Sequence, residues 1–409
     1  MRAEIDRIGA RHAAQTTQAP GILTLNAGSS SLKFGLYRDA EEPAMLVHGQ
    51  IDGIGLQAQL ELVPQNASAT KTPVNVPHQR AALDAVLGAL QPYLNGLTIA
   101  GVGHRIVHGG AAFSAPAVLT PQVIDALAAL SPMAPLHQPS NLAGVAAAQA
   151  RFPGAVQIGC FDTAFHRDHP WVNDTFALPR EFYREGVRRY GFHGLSYDYI
   201  TGVVARDYPD LHKGKLIVAH LGNGASMCAI REGQSVGSTM GFSALDGLPM
   251  GTRCGQIDPG VVLYLIEQKG MAPHQVFRLL YEQSGLLGLS GVSSDMRTLL
   301  ADQTRPAIEA IDYYVFRARR EIGALSAVLC GVDGIVFCGG IGEHAAPIRE
   351  RICDGLGYLG IAIDPQANQR NAREISTGAT RVMVIPTDEE RIIARAVQRA
   401  LAERAQHLG

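Results

Sequence analysis

Apolar residues recur along the 409-residue chain in short runs that end in turns of small residues. Residues 21–26 (GILTLN) form such a run, and after the turn AGSSS the alternation at 32–37 predicts a second strand. The same order of strand, turn and strand is predicted again at 216–230. This repetition hints at two halves of related design.

Helical and strand patterns alternate through the rest of the chain. Helical spacing predicts helices at 121–130, 141–150 and 306–330, and apolar runs predict strands at 155–159 and 334–337. Such alternation favours the α/β class. The segment 64–80 is predicted to be a surface loop or an edge hairpin.

Composition and charge narrow the classes of protein. Hydrophobic residues make up 46% and charged residues 18% of the chain, which is typical of a globular protein. The length exceeds one ordinary core and predicts two domains. Because the formal net charge is only -2, there is no general attraction to nucleic acid or to an anionic membrane. We expect neither as a partner.

The amino-terminal segment and the cysteine spacing indicate in which cellular compartment the protein is expected. Residues 1–20 are polar and lack the apolar stretch of a secretory signal, so we expect a disordered extension there. No apolar run approaches the roughly 18 residues of a membrane span. The six cysteines are scattered without C-x-x-C spacing. This pattern predicts reduced thiols in the cytosol rather than a zinc site or disulfides.

Three turns rich in Gly or Ser follow apolar strands and begin at Asn26, His220 and Gly339. Such turns let backbone N–H groups approach phosphate oxygens closely. Each alone is equally compatible with an ordinary tight turn, but three together, one followed by Lys33, favour a nucleotide. No G-x-x-x-x-G-K-[ST] is present, and no G-x-G-x-x-G opens a dinucleotide-binding unit, so both of those classes are disfavoured.

Ionisable residues also recur within short segments of apolar residues and glycines. They are Arg105, His137, Asp162, His193 and Arg253. The guanidinium fork of arginine matches carboxylate and phosphate. Histidines can donate to phosphoryl oxygens, and an aspartate can bind metal, orient a nucleophile or act as a base. The alternative for each is a structural histidine or ion pair.

The motif series resembles that of the acetate kinase family. It comprises ILTLNAGSSSLKF (22–34), GHRIVHGG (103–110), PLHQPSN (135–141), FDTAFH (161–166), RRYGFHGLS (188–196), AHLGNGAS (219–226), STMGFSALDGLPMGTRCG (238–255), SSDMR (293–297), GGIGEH (339–344) and PTDEE (386–390). The resemblance implies an actin-like, duplicated two-domain fold, shared with sugar kinases and Hsp70-type ATPases. The first domain would span 21–165, completed by a helix at 391–409, and the second 166–390, with the substrates in the cleft between them.

The resemblance also implies roles for individual residues. Asn26 and Glu389 would hold Mg²⁺, for which Mn²⁺ would substitute. Arg105 would bind the substrate carboxylate, and the alkyl pocket would be formed by Val107, Leu136, Phe192 and Ala244. The catalytic set would be Asp162 as acid or base, His193 and Arg253 at the transition state, and His137 in support. The contacts to ATP or ADP would come from Ser29, Ser31, Lys33, His220, Leu221, Gly222, Asn223, Gly224, Asp295, Met296, Arg297, Gly340, Ile341, Gly342, Glu343 and His344.

The implied reaction is direct, reversible transfer of the γ-phosphoryl group of ATP to acetate, in a cytoplasmic homodimer. Propionate is a second expected substrate, because Ala244 stands where many acetate kinases carry proline, whereas the bulky Val107 argues the other way. Gln256 and His344 also depart from the family pattern. The alternatives are a butyrate-type kinase, and an actin-fold phosphatase or nucleotide sensor.

Overall fold

The first half of the chain is built on one eight-stranded sheet. The structure, a computed structural model, describes residues 19–28 and 30–408. The strands are β1 (Ala19–Ala27), β2 (Ser31–Arg38), β3 (Ala44–Asp52), β4 (Ala58–Pro64), β5 (Thr70–Val74), β6 (Leu97–Ile106), β7 (Ala117–Val118) and β8 (Val156–Phe161). Their order in the sheet is β5-β4-β3-β2-β1-β6-β8-β7. The helices of this half are α1 (Gln79–Leu90), α2 (Pro121–Ala128) and α3 (Gln138–Arg151).

The second half is built on a five-stranded sheet. Before it lie α4 (Trp171–Asp174), α5 (Arg180–Arg184), α6 (Gly194–Asp207) and α7 (Pro209–His212). The chain continues through β9 (Lys215–Leu221), β10 (Ala225–Arg231), β11 (Gln234–Ser238), α8 (Pro259–Glu267), α9 (Pro273–Glu282), α10 (Gly285–Ser290), α11 (Met296–Ala301) and α12 (Arg305–Leu329). It ends with β12 (Gly334–Cys338), α13 (Gly339–His344), α14 (Ala346–Cys353), α15 (Pro365–Gln369), β13 (Arg381–Val384) and α16 (Glu389–Leu408).

The two sheets repeat one topology. The second has the order β11-β10-β9-β12-β13, which matches β3-β2-β1-β6-β8 within the first. In both, the first three strands are antiparallel and the following two pair in parallel. The α/β class and the duplicated, actin-like fold are therefore confirmed, and the repeat noticed in the sequence is real.

Two hydrophobic layers cover the first sheet. One contains Leu23 and Phe34 of the strands with Val86 of α1 and Ala148 of α3. The other contains Ile22 and Ile158 with Ile393 and Val397 of α16, so the last helix packs on the sheet that the chain forms first. Glycine at 103 is required by this contact, because a Cβ there would lie 2.3 Å from Cγ2 of Ile393.

Most predicted elements are present with small shifts at their ends. The predicted helix 306–330 is α12, whose buried face includes Ile311, Tyr314 and Ile322. Segment 64–80 contains β5, so it is an edge hairpin. β1 begins at Ala19, two residues before the predicted start, and the rest of the predicted extension, residues 1–18, lies outside the described residues. The domain boundary at 165/166 stays a prediction. Within 19–28 and 30–408, no helix is long and apolar enough to span a membrane.

Candidate active site

A cleft of about 1120 Å³ lies where the carboxyl ends of the parallel strands of both sheets meet. Arg105 lies near the end of β6, Asp162 directly after β8, His220 near the end of β9, and Gly339 directly after β12. Carboxyl ends of strands are the usual ligand-binding edge of α/β sheets. Of the predicted residues, those lining the cleft are Lys33, Arg105, Val107, His137, Asp162, Phe192, His193, His220, Gly222, Asn223, Gly224, Ala244, Arg253, Asp295, Met296, Arg297, Gly340, Ile341, Glu343, His344 and Glu389.

Arg105 and Asp162 form a bidentate ion pair at the base of the cleft. Nε and Nη2 of Arg105 donate to the two carboxylate oxygens at 2.9 and 2.6 Å. Burial alone would lower the pKa of Arg105, but the carboxylates of Asp162 and Glu389 raise it above its usual value. Burial raises the pKa of Asp162, and the guanidinium opposes that effect. Asp162 is thereby held in one orientation, with both oxygens already accepting hydrogen bonds.

Two further side-chain oxygens beside Arg105 have the chemistry of magnesium ligands. Oδ1 of Asn26 accepts from Nη1 of Arg105 at 3.4 Å, and Oε2 of Glu389 lies 3.7 Å from Nε. Mg²⁺ binds proteins through one or two such oxygens and keeps waters or phosphate oxygens as its other ligands. The described residues contain no group of three or more His, Cys, Asp or Glu side chains that would cage a metal. Asn26 and Glu389 therefore offer a site with only two protein ligands, both of them oxygen atoms.

Arg253 is the second guanidinium of the cleft and has no carboxylate partner among the described residues. Its Nη1 donates to the backbone oxygen of Ala244 at 2.8 Å. Burial lowers its pKa, the Tyr281 hydroxyl opposes this, and Arg105 lowers it further. His137 beside the two arginines is neutral, because burial and both guanidinium charges lower its pKa to about 4. The cleft therefore presents two guanidiniums to a ligand, and only that of Arg105 is paired with a carboxylate.

His193 and His220 stack with ring centroids 4.3 Å apart. His193 directly precedes α6 with φ 58°, in the left-handed region that few non-glycine residues adopt. Its Nδ1 lies 2.8 Å from Oγ of Ser226, and Nδ1 of His220 lies 2.8 Å from Oγ of Ser196. Burial holds the pKa of both rings below its usual value, to about 4 for His220, so both are neutral donors and acceptors at pH 7.

The glycine turn after β9 brings these groups to one point. A Cβ at Gly224 would lie 3.3 Å from Nε2 of His193 and 3.5 Å from Nη2 of Arg253. A Cβ at Gly222 would lie 3.9 Å from the backbone N of Gly340. Glycines at 222 and 224 therefore leave open a space that is faced by a histidine, an arginine and the start of α13.

Helices α11 and α13 also line the cleft. Oε1 of Glu343 accepts from the backbone N–H of Gly339 at 2.8 Å and of Thr387 at 3.2 Å, which ties the turn after β12 to the segment before α16. Asp295 caps α11 and pairs with Arg297 at 2.6 Å on an exposed rim. The turn predicted at Gly339 is thus the beginning of the short helix α13, a correction to the sequence interpretation.

Five predicted residues lie behind the lining rather than in it. Asn26 reaches the cleft through Arg105, whereas the side chain of Leu221 is fully buried in the core. Ser31, Leu136 and Gly342 are likewise absent from the lining, and Ser29 lies outside the described residues. The ATP contacts expected of Leu221 and Gly342 stay predictions, and for Leu221, whose side chain is buried, such a contact would have to come from the backbone.

The sequence interpretation gave no site role to seven lining residues, namely Gln50, Ser294, Leu300, Ala345, Pro347, Thr387 and Glu390, and it named Gly339 only as the start of a turn. Ser294, Thr387 and Glu390 lie within the quoted motifs and Ala345 directly follows one, so considering every motif residue and its neighbour would have found these four. Gln50 lies on β3 and carries no sequence signal, because its position depends on strand pairing.

Comparison with known proteins places this geometry in a family. A family model described as the Acetokinase family matches residues 21–395. The acetate kinase of Methylocella silvestris is 52% identical over 390 residues, which cover 91% of this chain and 96% of that protein. The crystal structure of Porphyromonas gingivalis acetate kinase has 37% identity and a TM-score of 0.83, covering 94% of this chain and 100% of that one. A propionate kinase structure from Francisella tularensis has 34% identity and a TM-score of 0.86, covering 93% and 99%.

Proposed function

The chain belongs to the acetokinase family, and on that premise we propose that its cleft transfers the γ-phosphoryl group of ATP to acetate. The products are acetyl phosphate and ADP, and the reaction is reversible. The observation that carries the proposal is the pair Arg105 and Arg253 lining one cleft, together with the lack of a carboxylate partner for Arg253 among the described residues. Two guanidiniums in one cavity suit two anions brought together for reaction.

Arg105 binds the acid and Asp162 orients Arg105. Asp162 holds two nitrogens of the guanidinium, and Nη1, with only a 3.4 Å contact to Asn26, remains for the substrate carboxylate. Acetate is already ionised at neutral pH and needs no deprotonation. The chemical demand is therefore alignment of the carboxylate oxygen with phosphorus, which a fixed fork supplies.

Arg253 and His193 bind the transferring phosphoryl group. Its charge spreads over three oxygens in the transition state, where positive groups and N–H donors are most useful. If Nδ1 of His193 accepts from Ser226, its Nε2 carries the hydrogen and faces the space over Gly224, next to Arg253. Lys33 and His137 lie in the same cleft. Asn26 and Glu389 would hold Mg²⁺, which supplies charge neutralisation between the phosphates.

Propionate is the second substrate that we propose. The alkyl pocket is lined by Val107, Phe192 and Ala244. The methyl side chain of Ala244 leaves room for one more methylene, and a propionate kinase is among the structural neighbours. A single methylene in a hydrophobic pocket is worth about 1–3 kcal/mol, so acetate and propionate should differ by a modest factor.

We also propose a homodimer that works in the cytoplasm. Exposed apolar residues in the second half, among them Leu263, Tyr264 and Phe316, offer a face for a second copy. All six cysteines are free thiols, which suits a reducing compartment.

A hydroxamate-trapping assay with MgATP and a panel of formate, acetate, propionate and butyrate tests the proposal. We expect acyl hydroxamate from acetate and propionate with kcat/KM within about tenfold of each other. Activity only with butyrate would replace the substrate. Steady phosphate release from ATP without any acid would indicate a phosphatase instead.

A further inference from the structure

A buried row of polar side chains leads from β11 to the backbone that carries His193. His166 closes the short helical turn after β8 and is fully buried. Its Nδ1 lies 2.8 Å from Oγ of Ser235, and its Nε2 lies 3.0 Å from the backbone oxygen of Phe192. Ser235 is also contacted at 2.6 Å by Nε2 of His169 and at 3.1 Å by Sγ of Cys228.

The hydrogen bonds of this row run in one direction. The Phe192 oxygen is only an acceptor, so Nε2 of His166 carries a hydrogen. The ring is buried and neutral, so its Nδ1 accepts the one hydroxyl hydrogen of Ser235. The Ser235 oxygen must then accept from Nε2 of His169, whereas the Cys228 thiol can donate either to Ser235 or to the backbone oxygen of Ala229. The hydrogens from His169 through Ser235 and His166 therefore point towards Phe192.

The segment that receives the last hydrogen bond is conformationally restricted. Gly191 has φ 73° and His193 φ 58°, both in the left-handed region. For a non-glycine residue this conformation is strained and persists only where its surroundings enforce it. A Cβ at Gly191 would lie 2.6 Å from two atoms of the His166 ring, so the ring packs directly beneath the bend.

A second route runs from His166 to the same histidine through α6. The ring of His166 packs edge-on against Tyr197 with centroids 5.5 Å apart. The hydroxyl of Tyr197 hydrogen-bonds to Ser226, which lies 2.8 Å from Nδ1 of His193. His166 thus contacts both the backbone before His193 and the residue that anchors the Ser226 hydroxyl.

We propose that His166 is a positioning residue for phosphoryl transfer, which it supports by fixing Phe192 and His193 through its Nε2–H. It touches neither substrate, since Phe192 and His193 line the cleft and His166 does not. The inference rests on the proposed function. Its specific content is that one ring nitrogen matters more than the other, which a space-filling role would not require.

Two substitutions separate the two ring nitrogens. Glutamine at 166 places its amide nitrogen near the position of Nε2, whereas asparagine reaches only the position of Nδ1. For His166→Asn we expect kcat with acetate to fall by ~10- to 100-fold, as for misplacement of reacting groups by about 1 Å, with KM for ATP within about twofold. For His166→Gln we expect kcat within about threefold of wild type. An equal loss in the two variants would overturn the proposal.

His169→Asn is the matched control, because it removes the other histidine bond to Ser235 and leaves the contact to Phe192 intact. We expect its kcat within about threefold of wild type. A loss as large as that of His166→Asn would assign the effect to general packing of the row and would contradict the proposal.

A measurement on the wild-type protein shows which ring nitrogen of His166 carries the hydrogen, even if His166→Asn does not fold. Two-bond ¹H–¹⁵N spectra of histidine-labelled protein, assigned by the signal lost in His166→Gln, should show a neutral ring protonated at Nε2. A ring protonated at Nδ1 would overturn the proposal. If the wild type forms no acetyl phosphate, the proposed function fails, and the tautomer still reports separately on His166.

Discussion

Arg253 carries a positive charge in the cleft that no carboxylate of the described residues pairs with. It is half-buried and donates to the backbone oxygen of Ala244. A partly buried charge without a partner is unfavourable for folding, so its presence points to a ligand. Removing it should therefore affect catalysis and stability in opposite directions.

Arg253→Met should lower kcat by ~10³-fold or more while KM for ATP changes little, as for an arginine that acts on the transferring phosphoryl group. The melting temperature of the variant without ligands should equal or exceed that of wild type. Steady-state kinetics and thermal denaturation check both. Turnover near the wild-type rate would remove Arg253 from the mechanism.

The alkyl pocket allows a pair of substitutions with opposite expected signs. Ala244→Pro should reduce the propionate-to-acetate ratio of kcat/KM by ~10-fold, because it fills the space for one methylene, and Val107→Ala should raise that ratio. Competition between the two acids in the hydroxamate assay measures the ratio directly. A shift of the same sign in both variants would contradict the assignment of these walls.

At this scale the sequence motifs predicted many of the residues that line the cleft but not how they pair. Arg105 and Asp162 are 57 positions apart and meet because β6 and β8 pair in parallel with Arg105 opposite Cys160. No local pattern encodes that register. The full burial of Leu221 was missed for the same reason, since its motif neighbours His220 and Gly222 do line the cleft.

Helix α13 shows how a short element is held at the site from behind. Arg349 is fully buried and donates at 2.8 and 3.0 Å to the backbone oxygens of Gly342 and Glu343, the carboxyl end of α13. Its other nitrogens bond to Asn368 and Asn371. The six-residue helix has little stability of its own, so this guanidinium fixes its place.

Arg349→Met should lower the free energy of unfolding by about 2–4 kcal/mol, because several buried acceptors lose their donor. It should also raise KM for ATP, since α13 lines the cleft. Urea denaturation and steady-state kinetics are the measurements. Arg351→Met is the control, because its ion pair with Asp312 is exposed and should be worth at most about 1 kcal/mol. Equal destabilisation of the two variants would contradict this role.

Element prediction succeeded where the pattern is long and one-sided. Helix α12 was predicted to within one residue at each end because its buried face repeats over 25 residues. Helix α13 was read as a turn, because GGIGEH has no amphipathic period and forms a helix through contacts from Arg349 and Glu343. Pairing of β5 with β4 at the edge of the first sheet was open in the sequence because β5 is exposed over nearly its whole length and polar at three of its five positions.

The whole molecule is two copies of one sheet topology facing a shared cleft. The strand–turn–strand repeat in the sequence indicated the duplication, and the sheets confirm it. What the sequence did not indicate is that the last helix, α16, returns to the first sheet; only the resemblance to a family implied it. Contacts between the chain's ends depend on the completed fold and leave no local pattern.

Buried neutral histidines distributed through the molecule predict acid lability. Burial is the main cause that lowers the pKa of His104, His108 and His169 to about 4, against an unfolded value near 6.5. Unfolding therefore takes up protons between these values, and stability falls as pH drops from about 6.5 to 4, by ~1.4 kcal/mol per pH unit for each such histidine. Above pH 6.5 this dependence should vanish.

Urea denaturation between pH 7.5 and 5 measures this slope. His104→Gln is the informative variant, because His104 bonds to Gln157 at 2.8 Å, away from the cleft. The variant should show a shallower slope than wild type by about one proton. A free energy of unfolding that stays constant down to pH 5 would contradict the neutral state of these rings.

Across the whole molecule, the fold brings ATP and the acid together so that phosphorus moves directly from ATP to a carboxylate oxygen held by Arg105. Acetate labelled with ¹⁸O in both oxygens tests this, with acetyl phosphate trapped by hydroxylamine, which attacks the acyl carbon and releases phosphate. We predict that every phosphate released in this way carries one ¹⁸O from acetate, detected by its ³¹P shift. Phosphate that carries only oxygen from water would show transfer to water and would contradict the account.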